Sequence, residues 1–313
     1  MKIVLLSTNI CSVPALQFLA RSETVQAVVA PAEVNPFNQQ LEQFALGLNI
    51  PFKRFSKREL ITGFKDMLAE LQPDLVLSFA YSYKIPAELF GIPKFGIYNV
   101  HFSLLPRYRG SCPVFWQLKN GDENGGISIH RVTPQFDAGP LLMQREIPIA
   151  PGTNHGIYWG RMSLESVAVI ASAIEKLKNT GDTMLLPQNE RSASNAPAPG
   201  PNDLAVNWET QSAKEIENLV NATNPDFGGA ITLLRNQMLR LLEVVPAEMN
   251  SPVEQPPGTI VYADVNYGLF VACKDQQYLR INIVQSTEGI LSGFKLASLG
   301  VQAGERLMSL PGQ

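Results

Sequence analysis

Short apolar runs alternate with amphipathic stretches through the first half of the chain. Residues 2–6 read as a buried strand, 12–21 as a helix, 25–30 as a strand, 37–48 and 59–71 as helices, and 74–79 as a strand. Apolar runs of this length, separated by helical periodicity, predict an α/β unit around a mostly parallel sheet. Further strands are predicted at 96–100, 126–132 and 140–147, and a long helix at about 156–178. The beginning is Rossmann-like, but Ser-Thr-Asn-Ile-Cys follows the first strand where a dinucleotide site would carry Gly-x-Gly-x-x-Gly, so no such site is expected.

Between 187 and 202 the pattern stops. This stretch is rich in Pro, Ala and small polar residues, cannot bury much surface, and reads as a semi-extended linker. Beyond it a helix is predicted at 212–223, with Ile216, Leu219 and Val220 on one side. Short strands follow near 230–234, 238–245, 258–263, 268–273 and 278–284. Several short strands with Gly and Asn turns suggest a small barrel. The expected division is therefore a domain at 1–186, a linker at 187–202 and a second domain at 203–313, with no internal repeat.

Composition changes this picture little. With 313 residues the chain exceeds one average domain, and 45% hydrophobic and 17% charged residues describe an ordinary globular protein. A formal charge of −3 gives no global attraction to nucleic acid. Cys11, Cys112 and Cys273 lie far apart, without metal-ligand spacing, and are expected as small buried side chains. The N-terminus opens on a strand-like run after one Lys, and no apolar stretch reaches membrane-spanning length. A reducing cytoplasm, no membrane partner and no metal are expected.

The candidate chemistry sits in residues 99–110, Asn-Val-His-Phe-Ser-Leu-Leu-Pro-Arg-Tyr-Arg-Gly, and in Asp137 within Phe-Asp-Ala-Gly-Pro. Asn99 offers an amide N–H to a developing oxyanion. His101, two residues on, shares its face if the segment is a strand. Asp137 could orient the imidazole and favour its protonated form. By residue type alone each is commonplace, because Asn-x-His occurs in packed strands and Asp before Ala-Gly suits a turn. The continuous context weighs the other way: Ser-Leu-Leu-Pro, Arg-x-Arg-Gly, and Gly-Gly-Ile-Ser-Ile-His leading to Asp137.

That context resembles the folate-dependent formyltransferases, which include methionyl-tRNA, glycinamide ribonucleotide and amino-sugar formyltransferases and a formyltetrahydrofolate hydrolase domain. The resemblance runs from Met1-Lys-Ile-Val-Leu-Leu through Gln-Pro-Asp-Leu-Val-Leu-Ser-Phe at 72–79 to Gly-Pro-Leu-Leu-Met-Gln at 139–144. It resumes with Val-Asn-Trp at 206–208, Asn-Pro at 224–225 and Pro-Gly-Thr-Ile at 257–260. It implies an α/β, Rossmann-like formyltransferase domain followed by a small OB-like β-barrel domain, with Asn99, His101 and Asp137 as the catalytic triad. It also implies 10-formyltetrahydrofolate as formyl donor, held by Phe79, Ala80, Tyr81, Ser82 and Tyr83, by Ser103, Leu104, Leu105 and Pro106, by Ser111, and by Thr133, Pro134, Gln135 and Phe136.

The resemblance implies an amine acceptor, either an amino-sugar nucleotide or other small molecule, or the aminoacyl end of tRNA. Methionyl-tRNA formyltransferases of the family carry a basic insert after the second strand, whereas residues 31–50 here hold Glu33 and Glu42 and no Lys or Arg. Four basic residues in Phe52-Lys53-Arg54-Phe55-Ser56-Lys57-Arg58 could touch RNA or form a solvated turn. Ile129-His130-Arg131-Val132 and the stretch 285–290 look more like the amino-sugar branch. Arg107 and Arg109 are candidates for a phosphate or glutamyl tail and equally for surface arginines. His130 and His155 read as packing or structural residues, and Tyr81 and Tyr83 could stack on a pterin or close a core edge. A hydrolase using the same triad, and a non-catalytic binding relative, are the alternatives of other classes.

Overall fold

Lys2–Ser7 (β1) buries every residue after Lys2, as a strand must when it has neighbours on both sides and layers on both faces. The elements of the first half are β1, α1 (Val13–Ser22), β2 (Thr24–Pro31), α2 (Pro36–Gly47), β3 (Phe52–Phe55), α3 (Gly63–Leu71), β4 (Leu75–Phe79), β5 (Ile97–His101), α4 (Pro113–Lys119), β6 (Asn124–Arg131), β7 (Leu141–Pro148) and α5 (His155–Thr180). This computed structural model describes residues 1–181, 184–248 and 254–311; of the domain expected at 203–313, residues 249–253 and 312–313 lie outside the described residues. The chain divides into two compact units, one of Met1–Pro113, Asn124–Pro148 and Trp159–Ala196, the other of Val114–Glu123, Ile149–Tyr158 and Pro197–Gln313.

In the first unit the sheet order is β3-β2-β1-β4-β5-β6-β7. Pairing is parallel from β3 to β5 and antiparallel for β5–β6 and β6–β7. One face, with Val4, Leu6, Val29, Val76 and Ile97, packs on Phe64 and Leu68 of α3. The other, with Leu75, Leu77, Tyr98, Ile129 and Leu142, meets Ile170, Ile174 and Leu177 of α5. The strand order reverses between β1 and β4, and open α/β sheets bind ligands beyond the carboxyl ends of the strands at such a switch point. There Thr8 N–H donates to the Ala80 carbonyl at 3.1 Å, and Ala80 takes a left-handed φ of 51°.

Three local readings change. Residues 52–55 form an edge strand paired with β2, so the basic run begins in the sheet. The helix expected over 59–71 is broken: a 3-10 turn at Glu59–Ile61 ends at Thr62, and α3 starts at Gly63. The linker expected at 187–202 is laid down as far as Ala196, with Leu186 bridging Leu141 and Asn195 bridging Arg109. Small polar residues carry no hydrophobic period there, because the segment is held by hydrogen bonds of its backbone and of the Gln188 and Ser194 side chains.

In the second unit α6 (Ala213–Thr223) starts with a Ser212/Glu215 capping box and buries Ile216, Leu219 and Val220. After it come β8 (Ala230–Leu234), β9 (Gln237–Ala247), β10 (Ile260–Asp264), β11 (Gly268–Ala272), β12 (Tyr278–Ser286), β13 (Gly289–Ser292), α7 (Gly293–Ser298) and β14 (Leu307–Met308). These strands build a curled antiparallel sheet of order β10-β11-β12-β9-β8-β14, with β13 on β12. The β8–β9 turn places Arg235 and Asn236 at φ 52° and 61°, the primed-turn geometry that matches strand twist. Trp208 is buried and donates its indole N–H to Thr232 Oγ1 at 2.9 Å.

Burial decides thiol chemistry. Cys11 and Cys273 are both pushed up to about 12 by burial, while Cys112 is only half-buried. Burial raises Cys112 too, though it keeps accessible surface, so Ellman's reagent at pH 8 is expected to modify Cys112 first in the native protein, more slowly than a free thiol, and all three thiols only after denaturation. Reaction of more than one thiol in the native protein would contradict this packing. Among the described residues, no helix is long and apolar enough to cross a membrane.

Candidate active site

β5 carries Asn99 and His101 on one face, two residues apart, at the end of the parallel run. Antiparallel pairing with β6 sets His130 directly opposite Asn99. After β6 the chain turns through Thr133–Gly139 and brings Asp137 back over this pair. Asp137 takes a left-handed φ of 51°, unusual for a residue with a side chain and held by its surroundings. Gly139 admits no side chain, since a Cβ there would lie 1.8 Å from the Arg131 carbonyl oxygen.

Four groups surround the Asp137 carboxylate. Oδ2 accepts from the Gly110 N–H at 2.9 Å and lies 3.7 Å from His101 Nδ1. Oδ1 lies 3.2 Å from His130 Nε2 and 3.4 Å from Asn99 Nδ2. Burial works to raise the Asp137 carboxyl, but the His101 charge, the hydrogen bond and charge of His130 and the Gly110 N–H outweigh it, holding the group well below the usual carboxylate range. His101 moves down as well. Burial is the largest cause and His130 adds to it, while the Asp137 charge and the Tyr108 carbonyl pull the other way.

At neutral pH the site holds a carboxylate beside a neutral His101. His101 Nε2 lies 2.8 Å from the Tyr108 carbonyl oxygen, which can only accept, so Nε2 carries the ring proton. Nδ1, on the Asp137 side, is left as the basic nitrogen. The Asp137 charge favours the protonated imidazole, and burial outweighs it. Asn99 is half-buried, and its Nδ2 contacts to Asp137 and His130 are both 3.4 Å, long enough for a better acceptor to displace them.

The residues assigned to the donor separate by exposure. Ala80, Tyr81, Leu104, Pro106, Ser111 and Thr133, Pro134, Gln135 and Phe136 keep accessible surface, and Phe136 is 66% exposed. Phe79 is buried edge-on against Phe102 at 5.4 Å, so its ring belongs to the core. Ser103 and Leu105 are buried in a polar network. Ser103 Oγ donates to the Arg107 carbonyl, Ser128 Oγ to that of Ser103, Leu105 N–H to Ser128 Oγ, and Gln144 to the Leu105 carbonyl. Their contribution is to shape the loop that ends at Tyr108. Tyr83 is buried in the α3-side core with Lys57 over its ring, at 5.3 Å.

Arg109 is no free anion site. Gln188 and Glu190 each accept two hydrogen bonds from its guanidinium. His130, expected as a packing or edge residue, is buried at 2% exposure, and its Nε2 also lies 3.2 Å from Asp137 Oδ1. The missing signal is the β5–β6 register, which one sequence does not carry. In the other unit His155 pairs with Asp226 at 2.8 Å beside Phe227, in keeping with its structural reading. Within the basic run, Arg54 pairs with Glu42 at 2.9 Å.

Residues 2–174 match the formyl transferase family, and residues 200–293 match the formyl transferase C-terminal domain. The methionyl-tRNA formyltransferase of Ruminiclostridium cellulolyticum is 29% identical over 91% of this chain and 92% of its own length; that of Aromatoleum aromaticum is 32% identical over 76% of this chain and 73% of its own. An N-formyltransferase from Helicobacter canadensis, solved with folinic acid and dTDP-3-aminofucose, shares the fold with a TM-score of 0.66 at 16% identity, covering 90% of this chain and 98% of that one. HypX from Aquifex aeolicus, solved with tetrahydrofolic acid, gives a TM-score of 0.64 at 18% identity over 97% of this chain and 48% of that one. With both parts matched, the site described above lies in an enzyme that transfers formyl groups, and the chain belongs to the formyl transferase family.

Proposed function

We propose that the protein moves the formyl group of 10-formyltetrahydrofolate onto the primary amine of a small acceptor. The observation that carries this reading is the convergence of the Asn99 amide, the His101 imidazole and the Asp137 carboxylate at the end of β5. As the amine nitrogen bonds to the formyl carbon, negative charge moves to the formyl oxygen and Asn99 Nδ2–H donates to it. The attacking nitrogen becomes cationic and gives its proton to His101 Nδ1; Asp137 stabilises the resulting imidazolium. Collapse of the tetrahedral adduct breaks the bond to the folate nitrogen, which takes the proton back from His101. A hydrolase would direct water onto the same groups, and the family relatives do not favour it.

The donor's place rests on Tyr81, beside Ala80. Its ring is half-buried, meets the core ring of Tyr83 edge-on at 5.7 Å, and its hydroxyl is buried without a hydrogen-bond partner among the described residues. Burial, and then the charge of Glu33, raise the Tyr81 phenol, so it stays a donor. A half-buried ring beside an unpaired hydroxyl suits a heteroaromatic ring with polar edges.

Charge supports a small acceptor. Only the four residues 32–35 connect β2 to α2, and residues 31–50 contain no Lys or Arg. Residues 197–313 carry seven Lys and Arg against twelve Asp and Glu, the wrong sign for tracking phosphates. An amino-sugar nucleotide fits this reading. Transfer to aminoacyl-tRNA is the second reading, supported by relatives about 30% identical that bear that name.

The test is tetrahydrofolate release from 10-formyltetrahydrofolate with no acceptor, with a panel of amino-sugar nucleotides, and with initiator methionyl-tRNA. Release that requires an amino-sugar nucleotide is expected. Release only with the tRNA would move the acceptor to the second reading, and release without any acceptor would favour hydrolysis.

A further inference from the structure

Residues 186–196 form a strap across both loops that build the site. Leu186 exchanges backbone hydrogen bonds with Leu141, at 2.7 and 2.9 Å. Ser194 donates its N–H to the Pro106 carbonyl, accepts the Tyr108 N–H on Oγ at 2.9 Å, and accepts the Arg109 N–H on its carbonyl at 2.8 Å. Ala196 donates to the Arg109 carbonyl at 2.6 Å and lies against Gly110, where a Cβ would come within 2.6 Å of the Ala196 oxygen. The strap therefore holds the segment that presents the Tyr108 carbonyl to His101 and the Gly110 N–H to Asp137.

Gln188 joins that segment to the Asp137 turn. Its Nε2 donates to the Asp137 and Gly139 carbonyls, both at 2.7 Å, and its Oε1 accepts from Arg109 Nε at 3.1 Å and Nη2 at 2.7 Å. The amide's two N–H groups and two lone pairs are all used. One of the carbonyls it holds is that of Asp137 itself, whose left-handed conformation has to be maintained by its surroundings.

We propose that Gln188 is a positioning residue for the formyl-transfer reaction, fixing the Asp137 carboxylate relative to His101 by tying the two loops together. This rests on the catalytic reading given above. Only an uncharged amide of this length serves both sides. A glutamate would keep the Arg109 bonds but set oxygen against two carbonyl oxygens, and an asparagine is one methylene short.

The experiment compares the wild-type chain with Gln188→Met and Gln188→Glu. A turn displaced by about an ångström costs on the order of 10²-fold in rate, so kcat is expected to fall about 10- to 100-fold in both, with KM for the folate donor changed less than about threefold. His101 is followed separately by NMR titration of the three histidine Cε1–H signals. In Gln188→Met the carboxylate is less firmly held beside His101, and the His101 midpoint is expected to fall. An unchanged His101 midpoint, or wild-type kcat in Gln188→Glu, overturns the proposal. If wild-type protein turns over no acceptor while the His101 midpoint still moves, the catalytic reading fails and the positioning of His101 by the strap stands.

Discussion

Replacing Asn99 by alanine is expected to lower kcat by roughly 10²–10³-fold, the cost of about 2.7–4 kcal/mol found when one oxyanion donor is removed. The change should fall on turnover and spare binding of the folate donor, because the formyl oxygen needs the amide most when it carries charge. Stability should hardly move. Asn99 is half-buried, and its amide makes two side-chain contacts, both 3.4 Å long. Asn99→Asp should be no milder, since a second carboxylate would face Asp137 Oδ1 and repel it. Steady-state kinetics at saturating donor, with thermal melts of both variants, check this. Retention of activity within threefold, with an unaltered melt, would remove Asn99 from the proposed chemistry.

What the sequence made legible, and what it did not, follows from how each feature is encoded. The alternation of buried runs and amphipathic helices is a local pattern, and β1, β2, β4 and α5 lie where it predicts them. The pair Asn99 and His101 is local as well, since two positions on a strand share a face whatever the strand pairs with. His130 could not be found that way. Its place beside Asp137 depends on the register of β5 against β6 and on the turn that brings Asp137 back, both of them tertiary facts.

The strap has no local signature for a related reason. Proline, alanine and small polar residues carry no hydrophobic period, yet Gln188, Ser194 and Ala196 act through an amide, a hydroxyl and backbone groups. Likewise Phe79 and Tyr83 were grouped with the donor loop by position, whereas packing against Phe102 and the α3-side core claims their rings. Exposure could not be read from a run of aromatics at a strand end.

Asp137→Asn should cut kcat by about 10²-fold or more and displace the acid limb of its pH profile. His101 already lies below the ordinary histidine range because burial disfavours its charged form, and the Asp137 carboxylate is the main group pulling it back up. Removing that charge lowers the His101 pKa further. Since the proposed reaction uses neutral His101 Nδ1 as base, the acid limb marks the pH at which that nitrogen becomes protonated. It should therefore move to lower pH in the variant. The imidazolium formed during turnover also loses its counter-charge, so the plateau falls even where His101 is fully neutral. The wild-type fold should respond to acid through the same pair. His101 is depressed on folding, so its contribution is complete above its unfolded pKa of about 6.5 and is lost as pH falls below that value; the depressed Asp137 adds a loss below about 3.9. Rate profiles between pH 4.5 and 9, with His101→Gln as the control lacking the base, separate the effects. An acid limb that stays in place or moves up in Asp137→Asn would show that the carboxylate does not govern His101.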